Sequence, residues 1–177
     1  MSVESSQEMS LSPGDLGVLR ESWKHMIAQG HQQLANKLLN WMFQNVNGML
    51  EQFSKFKGKG QDHLQVMPEF NAHAQAIVMT IEAMIFIDQT ERFERKITDV
   101  LRSHINRKNS PAGSRLFQQL RDKIHIFIEQ ERVVAPSSVE PIVWTKFFTV
   151  IVNICKREER KLSCWHVLCA FCCCSKR

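Results

Sequence analysis

The chain has 177 residues, of which 44% are apolar and 23% are charged, as in one soluble packed domain. Seven Gly and five Pro are too few for a collagen-like chain or a turn-rich all-β protein. The net charge is +5, but the basic residues are spread along the chain, so we expect no nucleic-acid partner.

The cysteines are unevenly distributed. Five of the six fall between Cys164 and Cys174, whereas a disulfide framework would scatter them through the fold. Residues 1–10 (MSVESSQEMS) contain no apolar stretch of the kind that marks a signal peptide, and their polar composition predicts a disordered tail. We therefore expect a reduced, cytoplasmic protein whose domain spans residues 11–160, followed by a Cys-rich tail, 161–177.

Two helices are predicted in the first 50 residues. Ser12 can cap the first one, Pro13 suits its first turn, and Asp15 favours the positive end of the helix dipole. This helix is expected to end at Gly30, and a second one to run from about 31 to 47. Their apolar stripes are Leu16, Leu19, Trp23 and Ile27, then Leu34, Leu38, Leu39, Met42 and Val46.

Four further helices follow from apolar residues at steps of three and four. They are expected over 69–87, 91–106, 113–130 and 136–155, with the segment 57–66 as a loop. The last stripe comprises Val139, Ile142, Val143, Phe147, Ile151 and Ile154, and Ser137 with Glu140 forms a capping-box pattern. Asn109-Ser110-Pro111 predicts a break between the fourth and fifth of the six main helices.

No run of strict polar/apolar alternation predicts a strand, so the expected fold class is all-α with six main helices plus short pieces. A relative of the four-helix bundle and a globin-like stack both fit this pattern. No heptad persists for three repeats, which argues against a coiled coil.

Two histidines are the main candidates for chemistry. HExxH, GxSxG and a phosphate-binding Gly-rich loop are all absent from the sequence. His104 lies on the apolar stripe of the 91–106 helix, and His73 lies beside the Phe70–Ala74 stripe of the preceding helix. Taken alone, a histidine in such a place is more often a core or half-exposed residue than a ligand. Cys155 is interpreted as a small core hydrophobe.

The ordered set of motifs over 11–158 resembles the globin family. Four segments stand at spacings compatible with that family: the opening LSPGD…LRESW, the corner Phe53-Ser-Lys-Phe56, the segment Phe70-Asn-Ala-His73 and the segment Val100-Leu-Arg-Ser-His104. The segment Trp144-Thr-Lys-Phe147-Phe148 fits the last helix. The first helix and the tail look most like those of invertebrate globins, nematode ones in particular.

This resemblance implies a globin fold, a helical sandwich around a heme pocket, holding one heme b. It implies that His104 is the proximal iron ligand and that His73 is the distal residue, able to hydrogen-bond a gas or to bind the iron itself. Phe53 would stack on the porphyrin, and Ile77 and Leu39 would form an apolar distal wall. The resemblance assigns the rest of the pocket to Val100, Leu101, Phe117 and Phe148, of which the last three fit plain core packing equally well.

The sequence also departs from the family pattern. Ala35 and Ala74 stand where the second helix and the distal helix cross and glycine is more usual, and Asn47-Gly48 replaces the proline of the short third helix. That helix is therefore expected to be irregular. Leu39 occupies the position of the tyrosine found in the most oxygen-avid relatives, and the chain has no Tyr at all, so moderate oxygen affinity is expected.

The expected function is reversible binding of O₂ or another diatomic gas at a histidine-ligated iron. The alternative is a six-coordinate, bis-histidyl redox or signalling globin held at a membrane. An enzyme such as a nitric oxide dioxygenase would need a partner reductase, so we expect no enzyme activity from this chain alone. The sequence does not decide whether the protein has a reductase partner or whether it forms homo-oligomers.

The Cys-rich tail has its own prediction. Fourteen uncharged residues, Leu162 to Ser175, are too few to span a bilayer as a helix, and the final Ser-Lys-Arg fits prenylation poorly. S-palmitoylation of Cys169, Cys172, Cys173 and Cys174, next to basic residues, would give stable membrane contact. A disordered or helix-extending tail with no such function is the alternative.

Overall fold

The computed structural model describes residues 11–87, 89–105, 113–132 and 138–173, with the backbone alone at 90, 105 and 162–173. The predicted disordered tail 1–10, the capping role of Ser137 and the break at Asn109–Pro111 lie outside the described residues.

Seven α-helices and two short 3₁₀ turns, with no strand, make up the regular structure of the described residues. The helices are α1 (Pro13–Met26), α2 (His31–Asn45), α3 (Gln61–Gln65), α4 (Pro68–Ile85), α5 (Thr90–Ile105), α6 (Ser114–Arg132) and α7 (Val139–Cys173), and the 3₁₀ turns are Ile27–Gln29 and Leu50–Gln52. The prediction of an all-α chain with six main helices plus short pieces is confirmed.

Local sequence sets several helix ends as predicted. Ser12 and Asp15 form a reciprocal capping box at the start of α1, with Pro13 in its first turn. Gly30 separates the first 3₁₀ turn from α2 at a φ of 109°, which only glycine adopts without strain. The chain at Asn47-Gly48 forms turns and the 3₁₀ turn Leu50–Gln52 in place of a regular helix, as expected.

Helix α7 packs against α6, α5 and α1, and α2 packs against α4. Trp144 of α7 lies in the core beside Trp23 of α1, with 6.0 Å between ring centroids, and contacts Phe147 at 5.7 Å. Its indole Nε1–H donates a 3.0 Å hydrogen bond to the buried Ser22 hydroxyl. This bond satisfies the one polar group of a large aromatic side chain in the interior.

Charged groups add further links between α7 and its neighbours. Lys146 donates to Asp15 of α1, and this hydrogen bond lowers the pKa of the Asp15 carboxyl. Glu158 is buried and accepts from Arg102 of α5 at 3.0 Å and from Lys161. Burial raises the pKa of Glu158, but the two cations outweigh burial and leave it below the usual value. Each pair therefore favours the charged carboxylate that the contact needs.

Two sequence predictions were wrong in detail. The segment 57–66 is not all loop, because Gln61–Gln65 forms a helix that buries Leu64. Five residues are too short to show a helical period, so the pattern could not reveal it. Val139 and Ile142, predicted to be on the buried stripe of α7, are 56% and 59% exposed. Periodicity assigns a face of a helix, but it does not tell whether other elements cover its first turn.

Helix α7 continues through the backbone as far as Cys173, well beyond the predicted end near 155. The boundary between the domain and the tail, predicted at 160–161, is therefore not marked by a break in the backbone. Among the described helices, none combines the length and apolar character that crossing a membrane requires.

Replacing Ser22 by Ala should destabilise the protein by about 1–3 kcal/mol, because the Trp144 indole N–H would stay buried without its acceptor. Urea unfolding of the wild type and the variant measures this loss. The exposed Ser54→Ala substitution is the control and should change stability by less than about 0.5 kcal/mol. Equal effects of the two substitutions would contradict the role given to Ser22.

The Cys155 thiol should be inert in the folded protein. It is fully buried, and burial raises the pKa of this thiol to about 12, so roughly one molecule in 10⁴ carries the thiolate at pH 8. Titration with an aromatic disulfide reagent should count the same number of fast-reacting thiols in the wild type and in Cys155→Ala. The account fails if the substitution removes a fast-reacting thiol before urea is added.

Candidate functional site

A cluster of phenylalanines forms the corner that precedes α4. Phe53 follows the 3₁₀ turn Leu50–Gln52 and stacks on Phe56, with centroids 5.4 Å apart and planes at 18°. It also contacts Phe43 from the end of α2 at 5.3 Å. Phe56 and Phe70 are buried, whereas Phe53 is only half-buried. The cluster therefore holds the Phe53 ring in place through Phe43 and Phe56, while part of the Phe53 surface stays accessible.

His73 lies at the edge of this cluster. Phe70 and Ala74, on either side of it in α4, are fully buried, which orients the helix and leaves His73 half-buried at the border of the core face. Its imidazole contacts the Phe53 ring edge-on, with 4.8 Å between centroids and 68° between planes. The structure thus brings together two residues that the sequence analysis placed in one pocket.

His104 stands in the last turn of α5 and is half-buried. Its Nδ1 lies 2.8 Å from the Val100 carbonyl oxygen and 3.2 Å from the Ser103 hydroxyl, which itself donates to the same carbonyl at 2.7 Å. A carbonyl only accepts, so Nδ1 must carry the proton in this contact. The lone pair of the neutral ring is then on Nε2, the arrangement that metal-binding histidines use.

The helix turn that carries His104 is fixed from two sides. Leu101 is buried in the core, and Arg102 is bound by the buried Glu158 of α7. The His104 ring also meets Phe117 of α6 edge-on at 6.4 Å. Because the residues directly before His104 cannot turn independently, the direction of its side chain is set by the packing of α5 on α7.

The nine predicted site residues divide into two groups by burial. Three of them, Leu39, Leu101 and Phe148, are buried in the core, where Phe148 contacts Phe147 at 5.4 Å. The six others keep accessible surface: Phe53, His73, Ile77, Val100, His104 and Phe117. For the first group the structure shows core packing. The second group combines two imidazoles with four large apolar side chains that the core does not fully cover.

Two residues outside the predicted site lie in direct contact with the candidates. Phe43 touches Phe53, and Ser103 lies within hydrogen-bond distance of His104. A serine next to a candidate ligand histidine was the available signal for Ser103. The side chains of Ala35 and Ala74 are both buried where α2 packs on α4, as their small size allows.

Comparison with known proteins gives the family of the chain. The family model for Globin matches residues 36–155. A globin of Biomphalaria glabrata is 33% identical over 140 residues, which cover 77% of this chain and 91% of that protein.

Solved structures give the same fold. Ferric myoglobin of Aplysia limacina with bound azide superposes with a TM-score of 0.72 at 20% identity, covering 84% of this chain and 99% of that one. A Drosophila melanogaster globin does so with a TM-score of 0.69 at 19% identity, covering 82% and 94%. These relatives are invertebrate proteins, and the nematode likeness stays a prediction. On these findings and on the globin fold of its helices, the chain belongs to the globin family, whose members bind heme and, through it, diatomic gases.

Proposed function

We propose that this globin binds heme b through His104 and reversibly binds O₂ or another diatomic gas, acting as a binding protein and not as an enzyme. His104 would hold the heme iron, and heme, when bound, would supply an iron to which a diatomic gas can bind reversibly. The observation that carries the proposal is the 2.8 Å contact of the His104 Nδ1 with the Val100 carbonyl, which places the proton of the neutral ring on Nδ1 and its lone pair on Nε2, the nitrogen through which many histidines bind metals.

The residues around the two histidines fit a flat, apolar cofactor. Phe53, Ile77, Val100 and Phe117 are large apolar side chains that stay half-buried although they belong to elements packed into the core. Burying this remaining apolar surface against a porphyrin would add to its affinity at about 25 cal/mol per Å². Phe53 is also held by Phe43 and Phe56, so little side-chain freedom is lost when it stacks.

His73 is suited to the distal role. Its edge contact with Phe53 restricts the imidazole, and an N–H of the ring can donate a hydrogen bond to a gas molecule in the pocket. We assign Ile77, which keeps accessible surface, to the apolar wall of the pocket, and the fully buried Leu39 to the core that supports this wall. With no tyrosine in the chain, a phenol cannot add a second hydrogen bond, so we expect a moderate oxygen affinity.

The competing function differs in the role of His73. If its imidazole also ligates the iron, the protein cycles between ferric and ferrous states as a redox or signalling globin. Azide binds to ferric Aplysia limacina myoglobin, which supports room for a small ligand in a protein of the same fold. We therefore favour gas binding, and the spectra below separate the two functions.

Replacing His104 by Gly should abolish stable heme binding, and added imidazole should restore it by occupying the vacated ligand position. Replacing His73 by Leu should leave heme bound and change the gas dissociation rate. Absorption spectra of the reconstituted ferric and dithionite-reduced proteins measure both effects. His25→Ala is the matched control, because this exposed histidine contacts the carbonyl and the carboxylate of Glu21 in its own helix and belongs to no predicted site, and it should leave the spectra unchanged.

A Soret band that survives in His104→Gly without imidazole would disprove the proximal assignment. Sharp, split visible bands in the reduced wild type, lost in His73→Leu, would establish bis-histidine ligation and favour the redox function. A broad five-coordinate band in the reduced wild type is the expected result.

We further propose that the protein is cytoplasmic and that its tail attaches it to a membrane by S-acylation of Cys169, Cys172, Cys173 and Cys174. Basic residues, including Lys156, Arg160 and Lys161, precede these cysteines, and several acyl chains with a basic segment give stable attachment where one chain is marginal.

The protein expressed in cells of its source organism should enter the membrane fraction and leave it after hydroxylamine, which cleaves thioesters. Replacing the four cysteines by Ser should make it soluble, whereas Cys164→Ser, the matched control, should not. Membrane association that resists hydroxylamine, or that persists in the fourfold variant, would contradict the proposal.

A further inference from the structure

A cleft opens between α2, α3 and α6. Its volume is about 490 Å³, and its walls share no residue with the nine predicted heme-pocket residues. Asn40 and Trp41 of α2 and Phe127 of α6 form its most buried part. The volume lies within the range of small-molecule sites.

Two polar groups at the base of this cleft make no hydrogen bond to the described residues. Asn40 and Trp41 are each only 8% exposed, and neither the Asn40 amide nor the Trp41 indole N–H makes a hydrogen bond to the described part of the chain. In contrast, the buried Trp23 and Trp144 donate to Glu82 and Ser22. Neither group belongs to the described side-chain atoms that are buried without a partner, so both polar groups are accessible from the cleft, where a bound molecule can pair with them.

The rims of the cleft are already held in place. Lys37 and Glu131 form an ion pair at 2.9 Å, so the charges at this rim cancel. Gln44 donates to Gln61 at 3.0 Å and links α2 to the short helix α3. The Trp41 ring packs on Phe127 at 5.4 Å, which fixes the indole beneath them.

Amides dominate the remaining lining. Gln33, Asn36, Gln65 and Gln130 add four more side chains that can both donate and accept. A hydroxyl group also donates and accepts, so a molecule with several hydroxyls can both donate hydrogen bonds to these amides and accept hydrogen bonds from them. Because Lys37 is paired with Glu131, the cleft has no net positive charge at this rim that would attract a phosphate or a carboxylate.

We propose that this cleft binds a neutral, hydroxyl-rich ligand of the saccharide class, with the Asn40 amide and the Trp41 indole N–H as its central contacts. The site is independent of heme and would operate whichever gas the protein binds.

The Trp41 indole N–H gives a direct test by ¹H–¹⁵N NMR of the full-length protein as purified. Maltose should shift this resonance saturably and leave those of Trp23 and Trp144 in place, because both already have partners inside the protein. Asn40→Leu and Gln61→Ala should each weaken maltose binding by roughly threefold to tenfold through the loss of neutral hydrogen bonds. Gln75→Ala, at an exposed position of α4 outside the cleft, is the control and should bind as the wild type does.

Two further probes fix the ligand class. Sorbitol, an open-chain polyol, and glucose 6-phosphate, an anion, should both bind more weakly than maltose. The proposal is overturned if maltose leaves the Trp41 resonance unmoved, if sorbitol or glucose 6-phosphate binds as tightly, or if Gln61→Ala binds maltose unchanged. Since Gln61 is exposed, that variant decides the matter even if Asn40→Leu does not fold.

Discussion

The burial of one face of α7 is the constraint on which the fold and the site depend. This face carries Trp144, Phe147 and Phe148, and it meets α1, α5 and α6 at once. The same helix holds Glu158, whose buried carboxylate binds Arg102 two residues before His104. Because a buried carboxylate is tolerated only with such partners, the register between α5 and α7 is tied to the position of the candidate ligand.

From this constraint the chemistry of the site follows in short steps. The packing of α5 fixes the turn from Val100 to His104, and the Val100 carbonyl then fixes the proton on Nδ1. On the other side, the phenylalanine corner fixes Phe53, and Phe53 restricts His73. Packing thus sets the tautomer of the candidate ligand His104 and restricts His73, and each histidine contacts a half-buried phenylalanine, Phe117 or Phe53, that keeps accessible surface.

Most of the fold could be predicted from the sequence because long helices repeat their apolar face many times. The stripe of α6, with Leu116, Leu120, Ile124 and Ile128, is buried throughout. Helix α3 was not predicted because five residues are too few to show a helical period. The exposed Val139 shows that the sequence pattern assigns the apolar face of a helix but does not tell whether other elements cover that face. At the site, motif spacing identified the histidines, whereas the contact of Ser103 with His104 and the unpartnered Asn40 and Trp41 depend on tertiary packing that spacing does not contain.

The central claim is that His104 presents Nε2 to the iron because Val100 holds its Nδ1 proton. A crystal structure of the heme-loaded protein tests it most directly. The account predicts that the axial protein ligand is Nε2 of His104, with Nδ1 still within hydrogen-bond distance of the Val100 carbonyl. Ligation through Nδ1, or through a residue other than His104 at the proximal position, would contradict it.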